Sequence, residues 1–268
     1  MLKILILSAC LALPCLPVSA QSRASADHLE ARLLPGWQTA TGSLMAGLQL
    51  TLAPGWKTYW RSPGEAGLPP LFNWSGSQNV KSVRIHWPSP AVFHANGMQS
   101  IGYHDAVMLP LEVTPRDASL PVQLHATVDL GICSDICIPA SVMLVADLPA
   151  PGAPVAAIRA ALAARPQTAA EAGVTGVTCD VGPVADGLRV TASLTMPQQT
   201  AHETVVFEAG QPDIWVSPAV SSRRSDRLSA SAEMVAPSGV PFALQRSKIR
   251  ITVIGKHGSV EIIGCPAP

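Results

Sequence analysis

The chain has 268 residues, 18 basic and 18 acidic, so its formal net charge is zero, and 48% of it is hydrophobic against 13% charged. This balance excludes a disordered tail, which needs low hydrophobicity and high charge, and argues against nucleic-acid binding, which needs a basic face. The 25 prolines and 20 glycines follow no triplet period, which excludes collagen and favours short strands and turns over long helices.

In chain order, the first predicted element is an export signal at 1–20. Lys3 precedes an apolar stretch at 4–16, and Val18-Ser19-Ala20 offers a cleavage site before Gln21. Pro14 and Pro17 interrupt the run, which falls short of the ~20 residues a membrane span needs. Lipoprotein processing at Cys10 is disfavoured by the short apolar core before it. No later segment is apolar for long enough to span, so no membrane span is expected in the mature chain.

The aromatic residues crowd into the first part of the chain, which suggests two units with different jobs. Period-two alternation predicts strands around Leu44, Ala46, Leu48, Leu50 and Leu52, and again at Val122, Leu124, Ala126, Val128 and Leu130. The second of these runs straight into Cys133, and 141–148 reads as its return partner. Ala150-Pro151-Gly152-Ala153-Pro154 marks a boundary, and the alanine-rich stretch 155–165 predicts a short helix stopped by Pro166. Beyond it, Leu188, Val190, Ala192 and Leu194 alternate, as do Ile249, Ile251 and Val253. The expected class is all-β: two immunoglobulin-like antiparallel sandwiches joined by a helix-containing linker. The expected divisions are a signal at 1–20, a first sandwich at 21–150, a linker at 151–167 and a second sandwich at 168–268.

With Cys10 and Cys15 removed, Cys133, Cys137, Cys179 and Cys265 remain. An even count in an exported chain suggests disulfides, and four cysteines allow three pairings. Cys133 and Cys137 sit close together and Cys179 and Cys265 bracket the C-terminal part, so the economical pairing is Cys133 with Cys137, and Cys179 with Cys265. The first bridge closes a tiny loop and adds little stability, so it is redundant or redox-active; the second closes a long loop and suits a structural tie. The stretch Asp129-Leu130-Gly131-Ile132-Cys133-Ser134-Asp135-Ile136-Cys137-Ile138-Pro139 reads as strand, tight turn, strand, and Pro139 marks an edge or a bulge.

That stretch, with Pro54-Gly55-Trp56-Lys57-Thr58-Tyr59-Trp60-Arg61, Pro63-Gly64-Glu65-Ala66-Gly67-Leu68-Pro69, Ile101-Gly102-Tyr103-His104-Asp105 and Leu109-Pro110-Leu111, resembles the N-terminal periplasmic domain of the thiol:disulfide interchange protein DsbD, with a closer likeness to the ScsB-type variants of many proteobacteria. The resemblance covers most of 30–150. It implies an immunoglobulin-like sandwich whose Cys133 and Cys137 relay electrons from a membrane-embedded donor to periplasmic thioredoxin-like proteins, with no cofactor. It also implies that Cys137 bonds the partner and that Cys133 resolves the intermediate. Trp56, Tyr59, Trp60 and Tyr103 would line the approach, and Phe93 is the aromatic nearest the loop that caps the cysteines in the family. The sequence holds neither a membrane domain nor a thioredoxin-like domain, so a separate electron donor is expected.

Two other functions compete. Cys133, Cys137, Met98, His94 and His104 are soft ligands suited to Cu(I), although no tight cluster of them flanks the cysteines. A purely structural sandwich displaying a binding face would leave both disulfides inert. Zinc-finger spacing and the Gly-x-Ser-x-Gly elbow are both missing, and no metal site is expected. His104 is a candidate for setting thiolate character, whereas Asp129 and Asp135 bring negative charge that would raise a nearby thiol pKa.

Overall fold

A computed structural model describes residues 22–95, 97–237 and 242–268. The expected export signal and Cys10 lie outside these residues. The strands are β1 (Ser22–Ala26), β2 (Leu29–Gln38), β3 (Leu44–Leu52), β4 (Lys57–Gly64), β5 (Leu71–Asn73), β6 (Val80–Ile85), β7 (Ala91–Ala95), β8 (Met98–His104), β9 (Ala106–Pro115), β10 (Val122–Cys133) and β11 (Cys137–Leu148). Helix α1 (Ala156–Ala163) follows, and then β12 (Gln167–Thr168), β13 (Gly176–Val184), β14 (Gly187–Thr195), β15 (Thr204–Glu208), β16 (Trp215–Val216), β17 (Val220–Arg224), β18 (Arg227–Val235), β19 (Arg250–Gly255) and β20 (Gly258–Ile263).

Four sheets result. Up to β11 the orders are β1-β2-β3-β9-β6 and β11-β10-β4-β8-β7, with β5 also pairing β10; after α1 they are β12-β20-β19-β15 and β13-β14-β18-β16, with β17 pairing β18. Pairing is antiparallel except between β12 and β20. The chain is therefore mostly β with antiparallel sheets, in keeping with an immunoglobulin-like sandwich. No helix among the described residues is long and apolar enough to cross a membrane.

Alternation builds the cores. On β10, Val122, Leu124, Ala126, Val128 and Leu130 face inward against Leu33, Leu48, Leu109 and Leu111 of the opposite sheet. A second cluster gathers Val190, Leu194, Phe207, Ile251 and Val253 around Cys179 and Cys265. Val206 and Ile254, from β15 and β19, join the first cluster, so the C-terminal sheets pack directly on the N-terminal ones.

The helix is shorter than the 155–165 expected because Pro166 and the missing side-chain cap leave its ends unsupported. Ile158 is fully buried, and a side chain at Gly47 would meet it at 2.8 Å, so α1 lies against the outer face of β3. This explains why β3 is buried on both faces along Leu44–Leu48, where strict alternation predicts one.

Candidate functional site

Strand β10 changes neighbours along its length. Thr127, Val128 and Asp129 pair with β5, while Ile132 and Cys133 pair with Thr58 and Lys57 of β4. The hairpin then turns through Ser134, Asp135 and Ile136, closed by the Ser134 amide donating to the Ile136 carbonyl at 3.0 Å. Cys133 and Cys137 face each other across the ladder with Cα atoms 4.1 Å apart, and they are disulfide-bonded.

The two sulfurs have different surroundings for a topological reason. Cys133 has β4 on its far side and is 1% exposed. Cys137 begins β11, the end strand of its sheet among the described residues, and is exposed. An end strand also tolerates Pro139, whose ring removes a ladder donor. Ile136, 65% exposed, and Leu68, 57% exposed, leave apolar surface near the accessible sulfur.

Tyr59 is the residue that meets both sulfurs. Its Oη lies 2.7 Å from Cys133 Sγ, 3.3 Å from Cys137 Sγ and 3.2 Å from the Ala66 carbonyl oxygen. A phenol has one proton to donate. In the disulfide neither sulfur carries hydrogen, so that proton goes to Ala66 or to a sulfur. A Cys133 thiolate would draw it, because hydrogen bonds to charged acceptors are the stronger ones. The ring is 3% exposed, and burial raises its own pKa, which keeps it a protonated donor at neutral pH.

The cover over Tyr59 is the loop 63–69. A side chain at Gly67 would lie 2.8 Å from Tyr59 Cδ1, and one at Gly131 would lie 3.2 Å from Tyr59 Cε2, so glycine on both sides lets the ring sit flat between loop and strand. Thr58 Oγ1 donates to the Gly131 carbonyl at 3.0 Å and fastens β4 to β10 just before Cys133.

The other expected lining residues separate by strand parity. Trp60 is fully buried and Tyr103 nearly so, both in the N-terminal core, with the Tyr103 hydroxyl donating to the Pro88 carbonyl at 2.8 Å. They face inward because each is one residue out of step with the positions on the cysteine face: Tyr59 precedes Trp60, and Tyr103 precedes His104. Trp56 stacks on His28 at 4.2 Å. Phe93 packs edge-on to His104 at 4.4 Å, with the Lys57 ammonium 5.2 Å from its ring. Sequence reasoning missed two residues in this region. Lys57 is the ladder partner of Cys133 and of His104, and it shares the parity of Tyr59. Gly67 stands inside the matching motif, but only the folded loop shows what it covers.

The soft ligands proposed for copper are spread apart. His94 and Met98 sit at the tip of the β7–β8 hairpin, about 20 Å along β8 from His104 by strand rise. Among the described residues no group of three or more histidine, cysteine or acidic side chains could hold a metal ion.

The second disulfide, Cys179 to Cys265, joins fully buried residues with Cα atoms 5.3 Å apart. Arg246 Nη1 donates to the carbonyls of both, at 2.8 and 3.3 Å.

Residues 30–149 match the family described as thiol:disulfide interchange protein DsbD, N-terminal. The structure is similar to the crystal structure of the N-terminal periplasmic domain of ScsB from Proteus mirabilis, with a TM-score of 0.70 and 26% identity, covering 93% of this chain and 99% of that one. No curated protein matches the chain.

Proposed function

Since residues 30–149 match the DsbD N-terminal family, we propose that this chain is a periplasmic thiol–disulfide exchange protein that passes reducing equivalents through Cys133 and Cys137 to thioredoxin-like proteins. The observation that carries the reading is the asymmetry of the pair: an exposed Cys137 bonded to a buried Cys133, with one phenol in reach of both sulfurs.

In the dithiol form, Cys137 as thiolate attacks one sulfur of the partner's disulfide. The partner's other sulfur leaves as thiolate and takes up a proton, and a mixed disulfide forms. Cys133, deprotonated and stabilised by the Tyr59 hydroxyl, then attacks Cys137 Sγ. The partner departs as a dithiol, and the Cys133–Cys137 disulfide is restored. Two electrons have moved to the partner. A membrane-embedded DsbD- or ScsB-like dithiol recharges the pair by the reverse sequence. The hairpin holds the resolving thiol beside its target, which gives the second attack a high effective concentration.

The redox unit in this reading is 21–150, exported by a signal at 1–20. The stretch 151–167 is a linker, and 168–268 is a second sandwich tied by Cys179–Cys265. The test is trapping with a periplasmic thioredoxin-like protein. Cys133→Ser should accumulate a mixed disulfide through Cys137, and Cys137→Ser should accumulate much less. Equal trapping by both variants would remove the assignment of roles, and no exchange by the wild type would remove the function.

A further inference from the structure

Strand β4 leaves its ladder soon after Tyr59. Tyr59 pairs with Gly102 and Gly64 with Ser100, so β4 spends Trp60, Arg61, Ser62 and Pro63 where β8 spends only Ile101. An insertion of this kind re-aims the strand and leaves the extra residues without ladder partners. The loop 63–69 springs from it, and that loop lies on Tyr59 and accepts its hydroxyl at Ala66. The position of the phenol over the sulfurs therefore depends on whatever holds the bulge.

Three contacts hold it. Trp60 is buried in the core. Gly64, at φ +79, has no room for a side chain because one would meet the Gln99 carbonyl oxygen at 2.7 Å, and the Glu65 amide donates to that oxygen at 3.1 Å. The third contact comes from the C-terminal sheets. Arg61 Nε lies 3.0 Å from Glu208 Oε1, its Nη2 lies 3.0 Å from Glu208 Oε2 and 2.6 Å from Glu261 Oε2, and its guanidinium lies 4.2 Å from the centre of the Trp60 ring. Glu208 ends β15 and Glu261 lies on β20, where Arg250 approaches it at 3.4 Å. The Arg61 side chain is 15% exposed, so this is a shielded fork and not a surface pair.

We propose that Arg61 is a positioning residue. Through Glu208 and Glu261, the C-terminal sheets clamp the β4 bulge and so hold the Tyr59 hydroxyl on the Cys133–Cys137 pair. The inference deepens the thiol-exchange reading and rests on it for its chemical consequence. It assigns the C-terminal part a role that its own disulfide and core do not reveal.

The full chain carries the test. Arg61→Lys keeps the charge and loses the fork. Glu208→Gln keeps the shape of the acceptor and is a second, independent disruption. The thiol–disulfide equilibrium with glutathione is measured for the wild type, for each of these, for Tyr59→Phe, and for Arg61→Lys combined with Tyr59→Phe. Arg61→Lys, Glu208→Gln and Tyr59→Phe should each shift the constant in the same direction, by about 2- to 100-fold, the range of coupled neighbours. The double variant should shift it no further than Tyr59→Phe alone. The chain has two tyrosines, so in a Tyr103→Phe background the ultraviolet titration reports Tyr59 only. Arg61→Lys should bring that ionisation down towards the ordinary tyrosine range. Additive shifts in the double variant would overturn the proposal. So would a lower thermal midpoint with an unchanged Tyr59 titration and an unchanged equilibrium, since the cluster would then serve only to join the sheets. A moved Tyr59 titration in a protein that never exchanges with glutathione would keep the clamp and sink the thiol-exchange reading.

Discussion

One hydroxyl separates this disulfide from an ordinary hairpin bridge. In the proposed exchange, Tyr59 offers its proton where charge would appear on Cys133 when the mixed disulfide is resolved. A hydrogen bond to a charged group contributes about 1.5–3 kcal/mol, and its loss corresponds to roughly 10- to 100-fold in the population it favours. Tyr59→Phe should therefore raise the Cys133 thiol pKa and slow resolution. The measurement is the pH dependence of alkylation in a Cys137→Ser background, where Cys133 is the one reactive thiol of the pair. A pH profile that Tyr59→Phe leaves in place would refute the role. Trp60→Phe, one residue on, should lower stability through lost packing and leave that profile alone, because Trp60 faces the core.

At the scale of elements, glycines decide how closely segments approach. A side chain at Gly47 would lie 2.6 Å from Met108 Sδ and 2.8 Å from Ile158 Cγ1, so Gly47→Ala forces α1 away from β3. Overpacking of this kind costs about 1–3 kcal/mol, and chemical denaturation should show a loss in that range with no change in thiol reactivity. The stretch after α1 is held by a carboxylate: Arg165 Nη2 donates to Glu171 at 2.6 Å and the Thr168 amide donates at 2.8 Å. These partners, with Arg165 first, pull Glu171 from 4.5 down to about 2. Glu112, hydrogen-bonded first by Ser43 and then by His86, is also held below its ordinary value. Both pKa values are depressed by folding, so the stability they contribute is fully present above the unfolded value near 4.5 and is lost as pH falls through the folded values. Thermal midpoints of wild type should fall over that acid window, and Glu171→Gln combined with Glu112→Gln should flatten the fall. A slope unchanged by both substitutions would refute the assignment.

For the whole molecule, the proposed function divides the work between the two bridges. Cys179 and Cys265 are 86 residues apart, and closing a loop of that length stabilises by about 4–5 kcal/mol in the chain-entropy account. Replacing both with alanine should cost about 2–5 kcal/mol in denaturant unfolding and leave exchange at Cys133–Cys137 intact. Loss of exchange in a variant that still folds would show that the second bridge serves the first site. The contacts of Val206, Ile254 and the Arg61 fork join the C-terminal sheets to the N-terminal ones, so unfolding of the two parts should be coupled. Separate transitions in the wild type would contradict this.

The sequence by itself determined several strands, among them those at 44–52 and 122–133, the hairpin at Cys133 and Cys137, and the likeness of residues 30–149 to the DsbD N-terminal family, because period-two alternation and short motifs are local properties of the chain. Parity along 57–60 even separates Lys57 and Tyr59 from Thr58 and Trp60. It does not say which of the two faces carries the cysteines, since that depends on the pairing of Cys133 with Lys57 across many intervening residues. Tertiary structure decided that one aromatic meets the sulfurs while Trp60 and Tyr103 fill the core. It also decided that Cys133 is buried and Cys137 exposed, because strand order places β4 beside one and leaves the other at the sheet's end. The Arg61 fork was beyond reach of the sequence for the same reason: its partners lie 147 and 200 residues away, where no local pattern carries information about contact.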